Sequence, residues 1–150
     1  GATLLIPTII RPAAPAPAAT EAAPGRWAWP AAGPVRRGYA ARTQKDYHDG
    51  LDIRLKEGTA VRAAAAGKVL FAGEERRQFG KLVVIDHGGG WHSAYGFLSK
   101  VTVTRGEDVG QGERIGLSGR TGKARGPELH FELRRDAEPV DPARHLPARD

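Results

Sequence analysis

From Trp27 onward, short apolar runs alternate with glycine, and the runs carry the period of strands rather than helices. In GPELHFELRR, at 126–135, Leu129, Phe131 and Leu133 alternate with Glu128, His130 and Glu132. Successive side chains of a strand point to opposite faces. Three apolar residues therefore turn to a core, while the other face carries a histidine between two carboxylates. The same texture predicts strands over 60–64, 68–72, 81–86, 91–98, 100–104, 114–117 and 129–134. Between them stand Gly67, Gly73, Gly80, a GGG at 88–90, and further glycines from Gly106 to Gly126. Strands with turn signals every ~8–12 residues argue for an all-β sandwich or barrel-like domain. AAAAG, at 63–67, has a helix-forming composition, but its flanks VR and KVLFAG read as strand–turn–strand.

Residues 1–26 differ from the rest. RPAAPAPAATEAAPG is a Pro/Ala tract that cannot build a packed core and reads as an extended, semi-rigid tether. Before it, TLLIPTII is apolar and β-branched: a strand, a tag, the tail of an upstream domain, or a segment that folds back to inhibit. The expected division is a linker over 1–26 and one folded domain over 27–150. The chain begins at Gly1 and has no methionine, which reads as a processed product or an excised segment. Cysteine is absent too, which excludes disulfides and thiolate metal sites. No apolar run approaches the ~20 residues of a membrane span. The net charge of +6 suits a polyanionic neighbour, such as nucleic acid, anionic lipid or wall polymer, or simply a solvated basic surface.

Candidate chemistry begins in YHDGLDI, where His48 and Asp52 lie four apart with Gly50 between them. Imidazole nitrogen and carboxylate oxygen are zinc ligands, and a catalytic zinc takes three protein ligands and a water. His130 could arrive as the third from a distant strand. Spacing alone leaves a metal site and an ordinary surface pair both open. His87, before the glycine turn, reads as a hydrogen-bonded structural histidine, and His145 as a tail residue. His92 and Tyr95 fall on a predicted strand, where such residues are packing or surface. Trp27, Trp29 and Phe71 read as packing, and Arg76, Arg77, Arg134, Arg135 and Arg144 as solvated faces.

The order of motifs adds to this. HDGLDI, GTAVRAAAAGKVLFAG, FGKLVVIDHGGGWHSAYGFL, VTRGEDVGQGERIGLSGRTG and GPELHFELRRDAEPVDPARHLP together resemble the LytM/lysostaphin-type zinc metallopeptidase family over residues 29–147. The resemblance implies a β-rich, sandwich-like antiparallel fold with a long groove, in proteins that cleave peptide cross-bridges of the bacterial wall. It places the zinc ligands of H-x-G-x-D and H-x-H on His48, Asp52 and His130. The family's two catalytic histidines, one in Y-x-H-L and one opening H-x-H, fall on Phe97 and Glu128. A phenylalanine side chain neither donates nor accepts a proton. Three readings stand for Glu128: a fourth ligand that closes the metal site, a general base, or a solvated acid.

A ligand set without its catalytic histidines resembles the degenerate LytM domains of cell-division regulators of the NlpD, EnvC and DipM kind. That likeness implies no catalysis. It implies instead a periplasmic activator of N-acetylmuramoyl-L-alanine amidases at the septum, with no nucleic-acid partner, and a groove lined by His48, Tyr95, Phe97 and Glu128 as the partner surface. The alternatives are an active zinc endopeptidase using Glu128, and a peptidoglycan-binding module.

Overall fold

The structure is a computed structural model that describes residues 27–148. The tether expected over 1–26, TLLIPTII within it, and the last two positions of the expected domain lie outside the described residues. The strands in chain order are β1 (Val35–Arg37), β2 (Leu51–Arg54), β3 (Ala60–Arg62), β4 (Gly67–Glu75) and β5 (Gly80–Gly88). They continue as β6 (Trp91–Val101), β7 (Asp108–Val109), β8 (Arg114–Ser118), β9 (Glu128–Arg135) and β10 (Glu138–Val140). All belong to one antiparallel sheet with the order β1-β2-β9-β6-β5-β4-β7. β10 lies beside β9, and the β3–β8 pair joins through β8 to β6. Among the described residues the helical element is a single 3-10 turn, Pro142–Arg144, whose first amide is capped by Asp141. The all-β antiparallel expectation holds, and one continuous sheet provides it.

The main core gathers Ile53, Val61, Ile85, Tyr95, Ile115, Leu129, Phe131 and Leu133, each wholly enclosed. Burial of such side chains stabilises by about 1.5–3 kcal/mol each. A smaller cluster of Phe79, Leu82, Val84 and Ala94 sits apart from it. Trp27 belongs to the main core, and Trp29 packs against it. The β5–β6 hairpin turns on Gly88, Gly89 and Gly90, with φ of 87°, 63° and 86°. Only glycine adopts three such residues in a row without steric cost.

Two expectations change. The run at 100–104 is not a separate strand: β6 continues to Val101, and register shifts along it let it bend instead of ending. Arg134, expected on a solvated face, is instead buried on the polar side of β9 together with Glu128, His130 and Glu132.

His87 is structural, as its position suggested. Its Nδ1–H donates to the Ala66 carbonyl at 2.7 Å. Nε2 must then accept from the Ser93 hydroxyl at 2.7 Å. Ser93 accepts in turn from the Tyr95 hydroxyl (2.7 Å), which accepts from the Ala64 amide (2.8 Å). Every proton in this relay has one direction. Burial pushes the His87 imidazole down to about 4 from an ordinary 6.5, outweighing its bond to Ala66. Because the unfolded chain takes up this proton first, stability is complete above pH 6.5 and falls as pH drops toward 4. The full loss is about 3 kcal/mol. Urea unfolding at pH 7 and pH 4.5 should show His87→Gln losing about 2–3 kcal/mol less than the parent over that interval.

Candidate metal centre

β2 and β9 pair so that Asp52 stands opposite His130. Cross-strand partners share a face, so a residue from each strand meets on the side away from Leu129 and Phe131. His48 lies just before β2 and is fixed by a two-way backbone bridge to Ala40. Gly50 lets this entry run close under β9: a Cβ there would lie 2.2 Å from the Phe131 carbonyl oxygen. As a result His48 Nε2 is 3.2 Å from Asp52 Oδ2, and His130 Nδ1 is 2.7 Å from Asp52 Oδ1.

The donor set fits a zinc ion. One donor atom each from His48, Asp52 and His130 lie within 4.8 Å of one another, and all three residues are buried. Each histidine's other nitrogen is already held: His48 Nδ1 by the Gly38 carbonyl at 2.9 Å, His130 Nε2 by Glu132 at 2.7 Å. Such outer partners are what orient metal-ligating imidazoles. His48, Asp52 and His130 would hold the ion, which would supply Lewis acidity toward a bound water or carbonyl.

The surrounding charges are coupled. Burial disfavours a charged His130, but the hydrogen bonds its ring donates to Asp52 and Glu132, with the charges of those carboxylates, raise it to about 9. Burial likewise works against the Asp52 carboxylate, yet the two histidines hold it far below its ordinary range. Glu132, wholly buried, is also held low against its desolvation by His130 and Arg134. Beyond it, Arg134 approaches Asp49 at 3.7 Å, and Arg42 grips Asp49 through two 2.9 Å bonds. Arg134 was expected on a solvated face; it is 1% exposed and closes this chain of charges.

Phe97 and Glu128 stand at the two positions assigned to catalytic histidines. The Phe97 ring lies 5.3 Å from the His130 ring, and Phe79 lies against it at 5.4 Å. Phe97 has φ 66° and donates its amide to the Phe79 carbonyl at 2.6 Å. A left-handed aromatic residue is an outlier of the kind that clusters at functional sites. Glu128 is not a solvated acid. Arg36 Nε meets its Oε1 at 2.5 Å, Arg36 Nη2 its Oε2 at 3.3 Å, and the Arg125 amide donates to Oε2 at 2.9 Å. Arg36 Nη2 also reaches Asp52 Oδ2 at 3.2 Å. In the sequence Arg36 is one of two adjacent arginines in WAWPAAGPVRRGY, and the need of two buried acids for a cation is its only signal.

The expected groove surface needs correction. Tyr95 pairs with Phe131 on the core side of the sheet, and its hydroxyl is consumed by Ser93 and Ala64. It lines no groove. His92 is also buried. His48, Phe97 and Glu128 form a nearly closed floor, 8%, 5% and 2% exposed. Accessible surface lies at the rim, where Arg54, Lys56, Glu57 and Arg125 border a depression of about 430 Å³ that reaches Arg36 and Glu128.

Comparison with known proteins places this geometry. The sequence profile of peptidase family M23 matches residues 46–142. The chain is 40% identical over 129 residues to the cell division protein DipM of Caulobacter vibrioides, covering 82% of this chain and 21% of that protein. To the murein hydrolase activator NlpD of Escherichia coli it is 35% identical over 123 residues, 82% of this chain and 32% of the relative. The chain thus spans between a fifth and a third of these relatives' own lengths. A crystal structure of a peptidase M23 from Pseudomonas aeruginosa superposes with a TM-score of 0.80 at 32% identity, covering 96% of this chain and 58% of that one. With the H-x-G-x-D and H-x-H ligand positions side by side on β2 and β9, the chain belongs to peptidase family M23.

Proposed function

We propose that this chain is a LytM domain that regulates rather than cuts: it binds and activates peptidoglycan hydrolases, N-acetylmuramoyl-L-alanine amidases, in the periplasm during septal wall remodelling. The observation that carries the reading is the pair Phe97 and Glu128. Peptide hydrolysis at a metal needs groups that move a proton and steady the developing oxyanion, and loss of one such donor costs ~10²–10³ in rate. Phe97 supplies neither group. The Glu128 carboxylate is forked by Arg36 and bonded by the Arg125 amide, so it has no free oxygen directed at a substrate water. The relatives' names, a murein hydrolase activator and a cell division protein, agree with a regulatory role. No described helix is long and apolar enough to cross a membrane. With the site floor closed, partner contact falls to the exposed rim around Arg54, Lys56 and Arg125.

A mixing assay with dye-labelled sacculi and a purified amidase tests this. The chain should increase fragment release by the amidase several-fold and, zinc-loaded but alone, release nothing. Unchanged amidase activity would sink the proposal. Release by the chain alone, lost in Glu128→Ala, would instead establish the endopeptidase reading. Co-sedimentation with sacculi without stimulation would establish a wall-binding module.

A further inference from the structure

Arg36 occupies an unusual position for a residue of an edge strand. β1 pairs Val35 with Ile53 and then Arg37 with Asp52, so Arg36 is the additional residue of a bulge. A bulge re-aims a side chain that regular pairing would direct elsewhere. Here the guanidinium turns in over the donor cluster and joins Glu128 to Asp52. The Asp52 oxygen it touches, Oδ2, is the one facing His48 Nε2. Burial of Arg36 is outweighed by its bond to Glu128, which strengthens its hold on the proton. It is a permanent cation.

A divalent ion among His48, Asp52 and His130 would bring two further positive charges beside that guanidinium, in a site largely closed to water. Like charges at such separations repel by several kcal/mol at an effective dielectric of about 20. We propose that Arg36 is the internal counter-cation of this cluster, so that a divalent transition-metal ion and the inward guanidinium exclude one another. Metal entry then requires Arg36 to swing out and loosens β1 from β2. Conversely, the bulge sets the metal affinity of a ligand set that is otherwise complete. This coupling is independent of any hydrolase, and its test contains none.

Zinc affinity, measured on the full chain by competition with a chromophoric chelator, should rise at least about tenfold in Arg36→Gln. The gain should vanish when Asp52→Asn is added. Because Arg36→Gln leaves Glu128 buried without its partner, the charge-balanced R36Q/E128Q is measured alongside, and it should keep most of the gain. Hydrogen exchange at the Val35 and Arg37 amides should quicken when the parent chain is saturated with zinc. Several results would overturn the proposal. Affinity could stay equal or fall in the folded variants, or the gain could survive Asp52→Asn. A gain could be lost once Glu128 is neutralised, which would make Glu128 a ligand instead. Exchange at β1 could be indifferent to zinc.

Discussion

Replacing Arg134 with methionine should destabilise the domain by about 3–5 kcal/mol, the usual cost of removing one partner from a buried ion pair. Arg134 is 1% exposed and contacts Glu132 Oε1 through Nε and Nη2, each at 2.8 Å, while Nη1 donates to the Ala137 carbonyl at 3.3 Å. Methionine fills much of the volume but leaves Glu132 wholly buried with His130 as its remaining partner, and Asp49 with Arg42. The charge deficit, not a cavity, is therefore the source of the loss. Two consequences separate the causes. Adding Glu132→Gln should restore part of the stability, because the uncompensated carboxylate disappears with its partner. A double-mutant cycle in urea should show a coupling above about 1 kcal/mol between the two positions. An Arg134→Met variant within about 1 kcal/mol of the parent would mean that this chain of charges is incidental to the fold.

Gly50→Ala should be at least as damaging, with a loss of about 3 kcal/mol or more. The added methyl would lie 2.2 Å from the Phe131 carbonyl oxygen and 2.8 Å from Glu132 Cγ. A side-chain neighbour could move aside, but a backbone carbonyl within a paired strand cannot without disturbing the β2–β9 register. That register is what sets Asp52 opposite His130. The substitution should thus reduce stability and, with that register disturbed, remove any affinity of the His48, Asp52 and His130 set for zinc. Gly110→Ala, where a Cβ meets nothing within 4 Å, is the control and should stay near the parent. Denaturation midpoints for both variants decide the matter, and equal effects at the two glycines would disprove the account.

What the sequence disclosed follows from where the physics is local. The alternation in LHFEL is a property of adjacent residues, so β9 and its inward-facing Leu129, Phe131 and Leu133 were readable. The glycine turn at 88–90 was readable for the same reason. Four strands were missed, and each is short: β1, β7 and β10 have two or three residues, and β2 has four. Such segments carry too few alternations to show a period and exist because a neighbour pairs with them. The burial of His130 and its flanking acids was equally hidden. Polarity predicts an exposed face unless the residues that cover it are known, and here the Phe79 and Phe97 rings and Arg36 do so from distant positions. Arg36 illustrates the limit most sharply, since 92 positions separate it from the glutamate it neutralises.

The three-residue β1 has a second effect besides carrying Arg36. A sheet margin with unsatisfied amides and carbonyls is a template for foreign chains, and short, charged, kinked strands are what discourage such templating. β1 is all of these: it follows Pro34, which has no amide hydrogen, it is interrupted by a bulge, and it presents Arg37 outward. Behind it β2 is one residue longer and carries Leu51 and Ile53 in alternation with Asp52 and Arg54, and β1 occupies the backbone groups along that margin. The little strand therefore shields the margin of β2, and its displacement would leave those amides and carbonyls open to pairing with another chain.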